Sequence, residues 1–158
     1  MLLAGEPGVG KSTSTSALVS VLRARGQVEE PLFPGALGAL AEIEAQGWLL
    51  GVATGKSDRG LRHCLERHGI HGRFMTLQTA DRHPSKPHPS MLDAARDAVG
   101  AGEVAMIGDT TFDISMALAA SADPIGVGWG YHAPAALAGA GARVIAQRFA
   151  DLPAIMER

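Results

Sequence analysis

The sequence predicts an α/β fold: three-layer, Rossmann-like, with a parallel five-stranded sheet. Short apolar runs alternate with longer stretches whose apolar residues recur at helical spacing. Residues 48–53 and 104–107 are apolar without interruption, as strands covered on both faces require. A chain of 158 residues fits one domain with a real core, so residues 1–158 read as a single unit.

The elements follow in order. Leu2, Leu3 and Ala4 form a short strand that runs into a glycine-rich turn. Residues 11–25 read as a helix with Ala17, Leu18, Val21 and Leu22 on one face. Acids and prolines make residues 27–34 a connection, and Leu37, Leu40 and Ile43 at helical spacing make residues 36–46 a second helix, stopped by Gly47. A strand over 48–53, a helix over 58–68 and a strand over 74–78 come next. A helix over 89–99, a strand over 104–107, a helix over 112–120 and a strand over 124–127 continue the alternation. The tail carries a short helix near 134–137 and an edge strand at 143–145.

Composition narrows the function. Hydrophobic residues make up 46% and charged residues 19%, which suits a globular rather than a disordered chain. A net charge of −2 gives no footprint for nucleic acid or for an anionic membrane, so any phosphate binding must be local. The single cysteine, Cys64, cannot form an internal disulfide and suits a reducing, cytoplasmic setting. Residues 1–4 are too short an apolar run for a signal peptide or a membrane anchor. The histidines show no zinc-type spacing. Lysine occurs only as Lys11, Lys56 and Lys86, each beside a glycine- or proline-containing turn.

Gly5, Glu6, Pro7, Gly8, Val9, Gly10, Lys11 and Ser12 satisfy the pattern G-x-x-x-x-G-K-[ST], followed by Thr13. Glycines there let backbone N–H groups wrap a phosphate, Lys11 reaches its outer oxygens, and Ser12 holds Mg²⁺. Residues 1–27 resemble P-loop GTPases of the metallochaperone type that serves methylmalonyl-CoA mutase. The guanine-reading Asn-Lys-x-Asp element is absent, which leaves the base open between ATP and GTP.

A second set of residues follows. Thr54 and Gly55 end an apolar strand, Lys86 sits in Ser-Lys-Pro, and Asp109 and Asp113 close the run Val-Ala-Met-Ile-Gly-Asp-Thr-Thr-Phe-Asp. In this order they resemble the haloacid dehalogenase superfamily, its phosphoglycolate phosphatase-like members above all, over residues 34–158. The resemblance implies that Thr54 and the Gly55 amide bind a phosphoryl oxygen, Lys86 neutralises its charge, and Asp109 and Asp113 hold Mg²⁺. It also implies the sheet order 3-2-1-4-5 for strands at Leu2, Trp48, Phe74, Val104 and Pro124. The family's nucleophilic Asp-x-Asp-Gly-Thr has no counterpart, since no aspartate precedes Asp58, and there is no room for a cap domain. Taken together, the chain reads as a P-loop–dehalogenase chimera. It would bind phosphate or a nucleoside triphosphate, share Mg²⁺ between Ser12 and Asp109, and hydrolyse slowly at most. The alternatives are a working phosphomonoesterase and a non-catalytic scaffold with vestigial motifs.

Overall fold

The computed structural model describes residues 2–5, 15–18 and 31–157, the first two segments as backbone alone. Helix α1, Ala36–Ala45, buries Ala36, Ala39, Leu40 and Ile43, one stripe at helical spacing. Strand β3, Trp48–Thr54, and strand β5, Glu103–Gly108, are buried along nearly their whole length. Strand β4, Phe74–Thr79, and β6, Asp123–Val127, flank them, and β7, Val144–Ala146, forms the far edge. The intervening helices are α2, Asp58–Arg67, α3, Ser90–Val99, α4, Thr111–Ala119, and α5, Pro134–Gly139. A last short helix, α6, Leu152–Met156, contacts α1.

Parallel pairing joins β3 to β4 and joins β5, β6 and β7 in a second block. Two short segments link the blocks: β1, Leu2–Gly5, and β2, Thr15–Leu18, giving the order β4-β3-β1-β2-β5-β6-β7. The chain steps outward through α2 to β4, then back through α3 to β5 and on through α4 to β6. Right-handed crossovers in opposite directions put α2 on one face and α3 and α4 on the other. The three layers follow from that.

The strands at Phe74, Trp48, Leu2, Val104 and Pro124 keep the expected relative order, but the parallel five-stranded sheet needs correction. β1 runs antiparallel to β3 and to β5. Residues 15–18, expected in a helix over 11–25, form β2, which runs parallel to β3 and β5 and antiparallel to β1. The physical reason lies in the run Ser12-Thr13-Ser14-Thr15-Ser16. Its hydroxyls compete for backbone hydrogen bonds and weaken a helix. The place between β3 and β5, meanwhile, needs a strand to satisfy both edges. With β2 parallel to β3, an antiparallel β1 can pair with β2 through a short connection, with Leu3 opposite Ala17, whereas a parallel β1 would need a long crossover. The expected helix stripe at Val21 and Leu22 lies outside the described residues.

From residue 36 onward the elements match the sequence reading to within a residue or two at each end. Turns of 3₁₀ helix at His71–Arg73 and Phe149–Asp151, together with α6, were not anticipated. Phe149 stacks on Trp129 at 4.8 Å and on Phe33 at 5.9 Å. That cluster fixes the loop after β6, which bears on the site.

Candidate functional site

Three loops meet the carboxyl ends of β3, β4 and β5. The first follows β3. Thr54 is half-buried, and its Oγ1 accepts the Lys56 N–H at 3.2 Å, which leaves the hydroxyl proton directed elsewhere. Ser57 caps α2 by accepting the Gly60 N–H at 3.2 Å. The Ala80 N–H donates to the Lys56 carbonyl at 3.3 Å, and the Asp58 N–H to Asp81 Oδ2 at 2.8 Å. Asp58 Oδ1 then accepts from the Thr79 hydroxyl at 2.8 Å and from Arg82 at 2.9 Å. Those donors, Thr79 first and then Arg82, hold the Asp58 carboxyl below its ordinary value. The turn at Gly55 is thus stitched to the end of β4 from several sides.

The second loop carries Lys86. His83 Nε2–H donates to Gln78 Oε1 at 2.8 Å, the amide group of Gln78 donates to Thr76 Oγ1 at 2.7 Å, and the Ser90 hydroxyl donates to His83 Nδ1 at 2.7 Å. The Gln78 amide orientation fixes this tautomer. Burial, and secondarily the charge of Arg82, pushes His83 below its ordinary value, so the ring is neutral near pH 7. The Lys86–Pro87 peptide is cis. From this loop Lys86 Nζ donates to Asp113 Oδ1 at 2.6 Å, with the two side chains 19% and 3% exposed.

The third loop joins β5 to α4. Asp113 Oδ2 accepts from both the N–H and the hydroxyl of Thr110, at 3.1 and 2.8 Å. Thr110 in turn caps the helix by accepting the Asp113 N–H at 3.2 Å. Burial alone would raise the Asp113 carboxyl, but the charge and hydrogen bond of Lys86 outweigh it and hold the group below its ordinary value. Gly108 permits this fold-back: a Cβ there would lie 2.2 Å from that of Asp113. Asp109 is half-buried. Its Oδ2 accepts the Tyr131 N–H at 3.0 Å and its carbonyl accepts the His132 N–H at 3.0 Å. A Cβ at Gly130 would lie 2.0 Å from that of Asp109, so only glycine lets the loop after β6 press against that residue.

Of the residues singled out in the sequence, Thr54 and Gly55 lie on the first loop, Lys86 on the second, and Asp109 and Asp113 on the third. Lys86 and Asp113 are in direct contact. Gly5 ends β1. Glu6, Pro7, Gly8, Val9, Gly10, Lys11, Ser12 and Thr13 lie outside the described residues. The sequence offers Ser57 or Asp58 as the cap of the helix over 58–68, and Ser57 fills that role; the bracing contacts of Asp58, Thr79, Arg82 and His83, and the hold of the Gly130–His132 loop on Asp109, were not read from it. The pair Ser57-Asp58, a helix cap followed by an acid, was the available signal for the first of these.

Among the described residues no group of three or more His, Cys, Asp or Glu is placed to hold a metal. Mg²⁺ asks less of a protein: one or two carboxylates, with substrate oxygens and water completing its shell. Asp109, a half-buried hard donor with only Oδ2 engaged among the described contacts, fits that requirement. Asp113 already spends both oxygens on Lys86 and Thr110.

Sequence and fold place the chain in a family. The sequence pattern of haloacid dehalogenase-like hydrolases matches residues 16–127. The chain belongs to that family. Its sequence is 39% identical over 125 residues to "Probable phosphatase IndB" of Dickeya dadantii, covering 77% of this chain and 54% of that protein. It is 31% identical over 159 residues to a phosphoglycolate phosphatase of Salmonella paratyphi A, covering 94% of this chain and 63% of that one. The chain therefore spans little more than half the length of these relatives. A crystal structure of a predicted phosphoglycolate phosphatase from Haemophilus somnus superposes with a TM-score of 0.75 at 27% identity, covering 81% of this chain and 58% of that one.

The family match begins at residue 16, inside the stretch read as the P-loop helix, and not at residue 34. The Salmonella relative spans most of the chain. A separate P-loop GTPase unit, and with it a nucleoside triphosphate partner, therefore finds no support. No helix among the described residues is long and apolar enough to cross a membrane.

Proposed function

We propose that the chain forms a phosphate-ester site of the phosphoglycolate phosphatase kind, built from Thr54, Gly55, Lys86 and Asp109. The buried Lys86–Asp113 pair carries this reading. A lysine that is four-fifths covered, held by one carboxylate and left with further N–H donors, is suited to a phosphate oxygen. The Thr54 hydroxyl and the Gly55 amide supply uncharged donors to the same group. Asp109 would hold Mg²⁺ through Oδ1, and the bound ion would neutralise phosphoryl charge. Asp113 acts by holding Lys86 in place rather than as a ligand.

We infer that this site serves phosphomonoester hydrolysis, the reading that the likeness to phosphatases supports. The family's aspartyl-phosphate route uses a carboxylate nucleophile, and no residue described above fills that role. Turnover of p-nitrophenyl phosphate in Mg²⁺ that survives repurification is the expected result. Phosphate binding with no turnover would replace this reading with a phosphate-binding module.

Calorimetric titration of inorganic phosphate, with and without Mg²⁺, tests the site. Binding should tighten with Mg²⁺. Thr54→Val should weaken it about fivefold, the loss of one neutral hydrogen bond. Asp109→Asn should abolish the Mg²⁺ effect and leave the fold intact. Phosphate binding indifferent to both substitutions would refute the assignment.

A further inference from the structure

Most aromatic side chains of this protein are inside it. Trp48, Phe74 and Phe149 are buried, and Phe33 and Trp129 are partly buried and packed around Phe149. Phe112 and Tyr131 differ, at 53% and 80% exposed. Both border the same ring: His132 lies 6.1 Å from Phe112 and 5.4 Å from Tyr131, centroid to centroid. These three side chains come from two segments, the first turn of α4 and the loop after β6.

Their position is fixed by backbone, and it is fixed to Asp109. The Tyr131 N–H donates to the Asp109 carboxylate at 3.0 Å, and the His132 N–H donates to the Asp109 carbonyl at 3.0 Å. The Thr111 N–H donates to His132 Nδ1 at 3.0 Å, which locks the ring to the start of α4. Gly130 lets the whole loop close on Asp109. Trp129, next in the chain, is held in the aromatic cluster beneath. An exposed aromatic on a mobile loop would have little use as a binding surface, but these rings stand on a braced frame.

We propose that Phe112, His132 and Tyr131 form a specificity surface for planar, aromatic phosphate esters. The proposal rests on the phosphate site placed at Asp109 above. A phosphate held there presents its ester group to rings whose frame is bonded directly to Asp109. Exposed π faces stack on flat rings with little side-chain entropy to lose, and a small aliphatic ester group finds no comparable surface. Because Nδ1 of His132 accepts the Thr111 N–H, the ring carries an N–H at Nε2, a donor for a polar atom on the ring's edge.

Phenyl phosphate, methyl phosphate and inorganic phosphate, titrated separately in Mg²⁺ against the wild-type chain and the Phe112→Ala/Tyr131→Ala variant, decide the matter. Both replaced side chains are exposed, so the variant should unfold at an unchanged temperature. On the wild type, phenyl phosphate should bind about tenfold more tightly than methyl phosphate. In the variant that ratio should fall to about one, with inorganic phosphate within about twofold of wild type. A wild-type ratio near one, or a ratio that survives in the variant, overturns the aromatic surface and leaves the phosphate site standing. Failure of inorganic phosphate to bind the wild type overturns both.

Discussion

Lys86 and Asp113 show how a buried carboxylate is matched with donors on both oxygens. Asp113 is 2% exposed, and every one of its oxygen contacts is a donor: Lys86 on one oxygen, the N–H and hydroxyl of Thr110 on the other. Removing one partner leaves a buried charge uncompensated, a loss of about 3–5 kcal/mol. Lys86→Met should therefore lower the denaturant midpoint strongly, and adding Asp113→Leu should recover much of that loss. If Lys86→Met leaves the midpoint unchanged, the pair is not formed in solution. Gly130 is the second residue on which the site turns. Gly130→Ala places a methyl against Asp109 and should erase the Mg²⁺ enhancement of phosphate binding, read by calorimetry, while the melting temperature moves by only a few degrees.

At the level of elements, α4 is started by Thr110 and its reciprocal bonds with Asp113. Thr110→Val removes the capping hydroxyl and should cost about 1–2 kcal/mol in unfolding free energy, while Thr110→Ser should stay near wild type. Much of this layer was legible in the sequence, and the reason is periodicity. Leu37, Leu40 and Ile43 marked α1, and the unbroken run at 104–107 marked β5, because burial on one stripe or on two faces writes itself into spacing. Leu37 is nonetheless 48% exposed, so the stripe was rotated from the expected one toward Ala36 and Ala39. β2 was not legible. Ala17 and Leu18 suit a helix stripe as well as a strand, and only the need of β3 and β5 for partners decides between them. Asp58 escaped for a related reason: its role comes from Thr79 and Arg82, which lie far along the chain and meet it only when β3 and β4 pair.

Over the whole molecule, the site's chemistry predicts how stability follows pH. His83 is depressed below 6.5 in the folded chain, so the folded state binds fewer protons than the unfolded one as pH falls below that value. Stability should be full above about 6.5 and decline on acidification. His83→Gln should flatten that first decline, as followed by thermal melts from pH 7 to 5. Asp113 is likewise depressed below 3.8, so its contribution is present at neutral pH and is lost only in stronger acid. The direction of the strands decides where these groups meet: β3, β4 and β5 run parallel and deliver Thr54, the Lys86 loop and Asp109 to the same edge. That convergence is the central claim, and amide-resolved NMR titration with inorganic phosphate and Mg²⁺ tests it most directly. Shifts concentrated at Gly55, Lys56, Lys86, Thr110 and Tyr131 are the predicted result. Shifts confined to the groove along α2 near Arg59, Arg62 and His63, or none at saturating phosphate, would contradict it.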